Sequence, residues 1–336
     1  MLTLKEASEK WVRGLEKVWD FYFDIFIQRF SNLAPQLSAA DRIAVDCYQT
    51  VYSGLGHKKE VPSPSPYCYV DMGFTPLTYR RGVRMRRLGR LPNPFPLIRL
   101  PYARIVNPWT LGSVLHEVSH DLQSDLGLWQ RVPRRIHARL LRQGLDPQVA
   151  AEFARWHKEI WADLAGVLLG GPAVVPSLMD VVARSPARVL RYRPGAVHPT
   201  PFLRPYISTE LLRRMGFTKE ADALQRLWIR IYPNATAGNI PEKLLKSFHQ
   251  ATRLVVDTIA FVPYQELGGK TLAQVVQYSK ADQQAVQQAA ARLASGRDPG
   301  SVPPRFLIGA ARWALDQKMA RPEAIARNFY SSLARR

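Results

Sequence analysis

The chain has few of the residues from which several common kinds of site are built. Its 336 residues include two cysteines, Cys47 and Cys68, and neither belongs to a CxxC or CxxH pair. This spacing excludes a disulfide framework and a thiolate metal site. A bound metal ion would therefore need histidine and carboxylate ligands, and the chain has only seven histidines.

Long apolar runs are also missing. The longest uncharged run, Leu164 to Met179, is interrupted by glycines and prolines and is too short to cross a bilayer. The N-terminal residues MLTLKEASEKW carry charges where a secretory signal would need an apolar segment. We therefore predict a cytoplasmic protein without a transmembrane segment.

Acidic residues are absent from one stretch of a chain whose net charge is +20. Between Met72 and His116 there is no Asp or Glu, although the stretch is rich in arginine. Such a region would favour an acidic peptide or partner protein, and nucleic acid is the competing interpretation because clustered arginines neutralise phosphates. No zinc-finger, RNP-like or helix-turn-helix pattern supports that alternative. The arginines of this stretch are Arg80, Arg81, Arg84, Arg86, Arg87, Arg90, Arg99 and Arg104.

The N-terminal part of the chain changes character near Val61. Apolar residues at helical spacing predict a long amphipathic helix over Leu4–Phe30, which we expect to pack on the core, and a second helix over Ser38–Val51. A membrane-surface or partner-binding role for the aromatic segment DFYFDIFIQRF is the alternative for the first helix. From Val61 to Pro108, frequent prolines separate short strand-like runs, which is typical of edge strands and turns.

The segment LGSVLHEVSHDLQSDLG, residues 111–127, contains two histidines four residues apart. Asn107 and Pro108 predict the start of a helix there. An apolar stripe would face the core and leave His116 and His120 on a neighbouring stripe, one turn apart, where both imidazoles can reach one ion. The stripe consists of Leu111, Leu115, Val118 and Leu122.

His116, Glu117 and His120 together form an HExxH motif. In this motif two imidazoles bind zinc, which lowers the pKa of a water molecule to about 7, and the glutamate acts as general base. Glu117 projects about 100° away from His116 around the helix, beside the ion instead of towards it. We therefore predict Zn²⁺ at His116 and His120, with Glu117 as a catalytic residue.

A second acidic pattern lies in HKEIWADLAGVLLGGPA, on a helix predicted to begin at Asp146-Pro147. Glu159 and Asp163 are four residues apart and lie off the apolar stripe of this helix. Ala162 and Gly166 beside them are small enough for another helix to approach closely.

Taken together, the two segments resemble the gluzincin branch of zinc metallopeptidases, the thermolysin-like arrangement of HExxH followed by ExxxD. The resemblance implies that Glu159 is the third zinc ligand and that Asp163 hydrogen-bonds His116 from behind the metal. Asp163 or His157 is the alternative third ligand. The resemblance also implies hydrolysis of a peptide or protein substrate, which the arginine-rich stretch suggests is acidic.

The chain departs from that family in two respects. The gap between His120 and Glu159 is longer and holds WQRVPRRIHARLLRQG, which we predict to be an extra basic helix. No copy of the family's substrate-binding Asn and Ala strand pattern precedes the HExxH helix. The run PLIRLPYARIV nevertheless occupies the place of the edge strand that pairs with a peptide in zincins, with an ordinary edge strand as the alternative.

A further candidate segment is AVHPTPFLRPY, which follows LLGGPA. This order is similar to bacterial HExxH proteins in which a Gly-Pro segment and a His-Pro-rich segment follow the acidic helix. By that resemblance His198 or Arg204 would stabilise the oxyanion formed during hydrolysis. The alternative is that His198 only caps a loop. The remaining histidines are interpreted as surface or core residues: His57, His137, His157 and His249.

These patterns predict an α+β fold that is predominantly helical, with a zincin-like core formed by a small sheet and an active-site helix. We divide the chain into N-terminal helices at residues 1–60, the metal-binding core at residues 61–205 and a helical C-terminal region at residues 206–336. The predicted function is a zinc-dependent hydrolase, specifically a metallopeptidase. The alternative is a basic protein that binds nucleic acid or an acidic partner and has a structural or vestigial metal site.

Overall fold

The computed structural model describes residues 2–56, 60–85, 88, 91–234, 236 and 238–335. These residues are predominantly helical with one small mixed sheet, which confirms the predicted α+β class. Four residues singled out in the sequence lie outside the described residues: His57, Arg86, Arg87 and Arg90.

Two long helices open the chain, α1 at Leu2–Phe26 and α2 at Ala34–Leu55. One face of α2 lies in the main core, whereas only Phe21 and Ile25 of α1 are buried. The expectation that α1 packs on the core holds for its C-terminal part, where Phe21 and Ile25 join a small hydrophobic cluster with residues of the sheet, and not for its N-terminal part. The apolar periodicity correctly predicts an amphipathic helix, but it does not say what covers the apolar face.

The sheet has three strands, β1 at Tyr67–Asp71, β2 at Leu77–Tyr79 and β3 at Leu97–Pro101. β3 lies in the centre, parallel to β1 and antiparallel to β2. The prediction that PLIRLPYARIV supplies an edge strand is therefore wrong. Four of the five β3 residues are buried, as expected for a strand paired on both sides, and the edge next to the candidate site is β2.

The HExxH segment forms α4, Gly112–Asp125, after the short helix α3, Tyr102–Ile105, and a 3₁₀ turn at Pro108–Thr110. The helix begins later than predicted. Asn107 precedes the 3₁₀ turn instead of α4, and its side chain makes no capping hydrogen bond there. The basic segment that follows is helical, as predicted, and forms α5, Arg131–Arg142.

The second acidic pattern lies on α7, His157–Gly170, and a separate helix α6, Pro147–Arg155, precedes it. Asp146 does cap a helix, because its carboxylate accepts hydrogen bonds from the backbone N–H groups of Gln148 and Val149. The capped helix is α6, however, which ends at Arg155, and Trp156 separates it from α7. Glu159 therefore lies in the first turn of α7.

The proline-rich segment Gly170–Arg204 contains helices α8, Val174–Val182, and α9, Pro186–Val189. The stretch His157–Val182 is long and apolar enough to cross a membrane, but most of it is buried inside the fold. It serves as core, which is consistent with a soluble protein.

The remainder of the chain is helical, as predicted, and a π-helical turn at Asp257–Phe261 extends α12. Its helices are α10 (Arg204–Arg214), α11 (Thr218–Ile231), α12 (Glu242–Val256), α13 (Leu272–Val275), α14 (Lys280–Ala294), α15 (Phe306–Asp316) and α16 (Pro322–Ala334).

The centre of the molecule is α7, in which every residue except Lys158 is buried. The largest hydrophobic cluster surrounds this helix and draws residues from all three predicted regions, from Leu37 in α2 to Leu333 in α16. The division at residues 60 and 205 stays a prediction. The position of α7 matters for the site, because two carboxylates project from this buried helix.

The contact between α2 and α13 leaves no room for a side chain at Gly54. A Cβ atom added there would lie 2.0 Å from the backbone oxygen of Val275. We predict that Gly54→Ala lowers the free energy of unfolding by about 1–3 kcal/mol, because the two backbones must separate. Urea denaturation measures this change.

The matched control is Gly14→Ala in the exposed part of α1, where an added Cβ meets no atom within 4 Å. Alanine there improves helix propensity and should leave unfolding of the core unchanged. Equal effects of the two substitutions would contradict the close approach at Gly54.

Candidate metal centre

Helix α4 presents its two histidines to α7 because its apolar stripe holds it in place. Leu111, Leu115, Val118 and Leu122 are all buried, as predicted, and α4 packs directly against α7. At Gly166 of α7 an added Cβ would lie 3.8 Å from the backbone nitrogen of His116. The backbones of α4 and α7 are therefore close at this point, although an alanine would also fit there.

Three side chains from these helices converge on one point. Nε2 of His116 lies 3.2 Å from Nε2 of His120, and each nitrogen lies 3.6 Å from an oxygen of the Glu159 carboxylate. All three ligand atoms lie within 4.8 Å of one another. His116, His120 and Glu159 can therefore bind a metal ion together, as the sequence predicted.

The donor atoms have the separations expected of ligands around one small cation. Atoms bound tetrahedrally at about 2.0–2.2 Å lie about 3.3–3.6 Å apart, close to the three distances observed here. Nδ1 of His116 faces the Asp163 carboxylate at 2.8 Å, which holds a proton on this nitrogen and leaves Nε2 as the ring atom that can bind an ion. The raised pKa of His116 puts a second proton on Nε2, facing the Glu159 carboxylate, and a bound cation would take the place of that proton. The residues present therefore fit a metal ion.

Asp163 is held behind this group by Arg204 from α10. The guanidinium donates two hydrogen bonds to the carboxylate, from Nε to Oδ2 and from Nη2 to Oδ1, both at 2.8 Å. Both side chains are buried. This bidentate pair fixes the carboxylate that orients the ring of His116.

The ionisable groups perturb one another strongly because all of them are buried. Burial acts to raise the pKa of Glu159 and Asp163, but the neighbouring His116 and Arg204 outweigh it and hold both below their usual range. Burial alone lowers the pKa of His116, but Asp163 and Glu159 raise it to about 10. Burial lowers the pKa of His120 to about 3. Both carboxylates are therefore ionised at neutral pH.

Glu117 lies beside the three ligands on α4 and is 6% exposed. Burial, with the nearby charge of Glu159, raises its pKa to about 7. It lines the same cleft as the ligands. The position is that of a group able to accept a proton from a water molecule at the metal.

The site opens into a cleft with a volume of about 310 Å³. The ligand helices form its floor, and β2 with the loop before it forms one wall. The opposite wall is apolar and comes largely from α8. The two walls include Thr75, Pro76, Leu77 and Thr78 on one side and Val174, Val175, Leu178 and Val181 on the other.

The mouth of the cleft holds His198 and a stacked aromatic residue. Nε2 of His198 lies 3.4 Å from Oε1 of Glu159, and the His198 side chain is 64% exposed. The guanidinium of Arg80 lies 3.7 Å from the centroid of the Trp129 ring, and Lys158 lies nearby at 5.7 Å. The sequence patterns identify His198 but not Trp129 and Lys158, since no local pattern brings these two to the cleft.

The other histidines do not join the ligand group. His157, the alternative third ligand, is buried with its ring against Trp129 and its Nδ1 2.8 Å from the backbone oxygen of Ala154. Asp163, the other alternative, contacts Nδ1 of His116, on the side of the ring away from the metal-binding point. His137 is half-buried and His249 is exposed. The metal-binding group of the described residues therefore includes Glu159 and neither alternative.

Four of the five arginines of the acid-poor stretch that the structure describes make contacts within the fold. Arg80 donates to Ser124, Arg81 donates to backbone oxygens at residues 63, 64 and 94, Arg99 pairs with Asp71, and Arg104 donates to the backbone oxygen of Asp180. These four side chains are therefore engaged with the protein itself, and the partner of this stretch stays a prediction.

Comparisons of the chain with protein-family models, with curated proteins and with solved structures find no match. The resemblance to thermolysin-like peptidases is therefore supported by the arrangement of His116, His120 and Glu159 alone. The class that the structure defines is a predominantly helical α+β protein with a candidate metal centre.

The Asp163–Arg204 pair should be one of the main contributors to stability. We predict that Arg204→Met lowers the free energy of unfolding by about 3–5 kcal/mol, because a buried carboxylate loses its partner. Denaturation in the presence of a chelator measures this effect without a contribution from metal.

The control is Arg213→Met on the same helix, since Arg213 pairs with the more exposed Asp222. That change should lower stability by about 1 kcal/mol or less. A similarly small effect of Arg204→Met would refute the structural role of the buried pair.

Proposed function

We propose that the protein is a cytoplasmic, zinc-dependent metallopeptidase with a zincin-like core. The observation that carries the proposal is the convergence of His116, His120 and Glu159 at the floor of an open cleft that Glu117 also lines. A purely structural site would need four protein ligands, whereas three ligands beside a cleft leave a position for a water molecule or substrate.

Zinc is the metal that this donor set favours. Two imidazoles and one carboxylate are the ligands of many catalytic zinc sites, whereas magnesium and calcium prefer sites made of oxygen. When bound, a zinc ion supplies Lewis acidity and lowers the pKa of a water molecule to about 7.

Each residue of the site would then have a separate role. His116, His120 and Glu159 hold the ion, and Asp163 keeps the proton of His116 on Nδ1 so that Nε2 stays a ligand. Glu117 accepts a proton from the attacking water and passes it to the leaving amine. Burial of Glu117 excludes bulk water from this transfer.

Stabilisation of the oxyanion is proposed for His198, with Arg204 in support. His198 is exposed at the mouth of the cleft and close to Glu159, so its ring can reach a carbonyl oxygen at the metal. Arg204 uses Nε and Nη2 on Asp163, and Nη2 lies 3.6 Å from Glu159. Its positive charge therefore acts mainly through the two carboxylates.

An extended peptide is the substrate that fits the cleft. β2 pairs with β3 on one side and lines the cleft with residues such as Leu77 and Thr78. The unpaired backbone groups of an edge strand can add one more strand from a bound peptide. Lys158 and Arg80 at the mouth favour acidic residues in that peptide.

The metal part of the proposal predicts about one zinc ion per chain. We expect His120→Ala and Glu159→Ala to reduce zinc content strongly after dialysis against a metal-buffered solution, because each removes a ligand. His249→Ala, an exposed histidine on α12, is the control and should retain zinc. Elemental analysis measures all three, and full occupancy in Glu159→Ala would refute the third ligand.

The catalytic part predicts that Glu117→Gln keeps zinc and loses activity. Removal of a general base should lower kcat by about 10²–10⁴-fold. A peptide library prepared from a proteome and analysed by mass spectrometry detects cleavage at any peptide sequence, so the substrate need not be chosen in advance. Glu242→Gln at an exposed position of α12 is the control, and cleavage by Glu117→Gln at the unaltered rate would contradict the assigned role.

A further inference from the structure

The N-terminal part of α1 has no tertiary partner among the described residues. Every residue from 2 to 17 is exposed, including Trp11 at 75% and Leu15 at 65%, and Trp19 just beyond is 70% exposed. Most of the stability of a helix in a protein comes from the packing of its apolar face, and this part of α1 lacks such packing. The apolar side chains therefore indicate that something outside this chain's core covers the helix.

The apolar face of α1 is broad. At about 100° per residue, the large exposed apolar side chains other than Leu2 point within an arc of about 140° around the helix, bounded by the directions of Val18 and Phe23. The narrow seam of a coiled coil would instead carry aliphatic residues every three and four positions, whereas here Ser8 and Trp11 occupy such positions. The breadth favours a fluid apolar environment over a second helix of fixed shape.

The composition of the face also favours a membrane interface. Tryptophan is enriched where headgroups meet acyl chains, because its ring is apolar and its N–H group is polar. Along the C-terminal half of α1 the apolar surface continues in a groove that Pro94 and Phe95 also line. The helix and this groove can therefore contact the same membrane surface.

Charge distinguishes the kinds of surface that would cover α1. The helix has four basic and five acidic residues, so the net charge of +20 comes from the rest of the chain. Two such bodies repel each other, which disfavours a second copy of this chain, whereas an anionic surface attracts them. We propose that α1 lies on the surface of a membrane containing anionic lipids, with its apolar face at the headgroup–acyl boundary. This proposal does not depend on the metal site.

The test uses an environment-sensitive fluorophore on a single introduced cysteine, since Cys47 and Cys68 are fully buried and will not be labelled in the folded protein. One variant carries the label at Leu15→Cys on the apolar face, and a second variant carries it at Glu6→Cys on the opposite face. With vesicles of phosphatidylcholine and phosphatidylglycerol, the first label should shift to the blue and the second should not.

Vesicle sedimentation provides the second measurement. Trp11→Ala and Leu15→Ala should each weaken binding about tenfold or more, because each removes a large apolar side chain from the boundary. The controls are Leu227→Ala and Ile231→Ala on α11, which are 42% and 48% exposed and should leave binding unchanged. Binding should also fall with added salt and with phosphatidylcholine alone.

Three results would overturn the proposal. One is no binding to the anionic vesicles, and another is an equal response from both labels. The third is a concentration-dependent blue shift at position 15 without vesicles, accompanied by a dimer in sedimentation equilibrium. That last result would assign the face to a second copy of the chain.

Discussion

Two carboxylates on a helix that is buried along its length constrain the rest of this structure. Glu159 and Asp163 project from α7 in the centre of the fold, where an unpaired charge would be strongly destabilising. Arg204 neutralises one of them with two hydrogen bonds, and the histidines of α4 face the other. The arrangement explains why α4, α7 and α10 must pack together for the core to form.

The same constraint links stability to the proposed chemistry. His116 lies between Asp163 on one side and the metal-binding point on the other, so its orientation depends on both. A metal ion would complete the compensation of charge that Arg204 begins, and metal binding should therefore stabilise the fold. Glu117 lines the cleft beside this network, where it can exchange a proton with a water molecule at the metal.

Much of the ligand group could be predicted because it depends on local spacing. The stripe of Leu111, Leu115, Val118 and Leu122 fixes the direction of His116 and His120 by helical geometry alone. The pairing of Asp163 with Arg204 joins helices that are distant in sequence. The sequence therefore indicates Arg204 only through a resemblance to other proteins, and its contact with Asp163 is not predictable from local spacing.

Strand order and surface coverage were not predictable for a similar reason. The run containing β3 looks like an edge strand locally, but β2 pairs with its outer side and becomes the edge. The amphipathic pattern of α1 likewise predicts a helix with an apolar face, although most of that face lies outside the core. Both outcomes depend on where distant elements pack, which local patterns do not encode.

X-ray absorption at the zinc K-edge of the reconstituted protein tests the central claim most directly. The account predicts a shell of nitrogen and oxygen atoms at about 2.0–2.2 Å, with the outer-shell scattering of two imidazole rings. An all-water shell, or outer-shell scattering from fewer than two imidazole rings, would contradict a metal centre built from His116, His120 and Glu159.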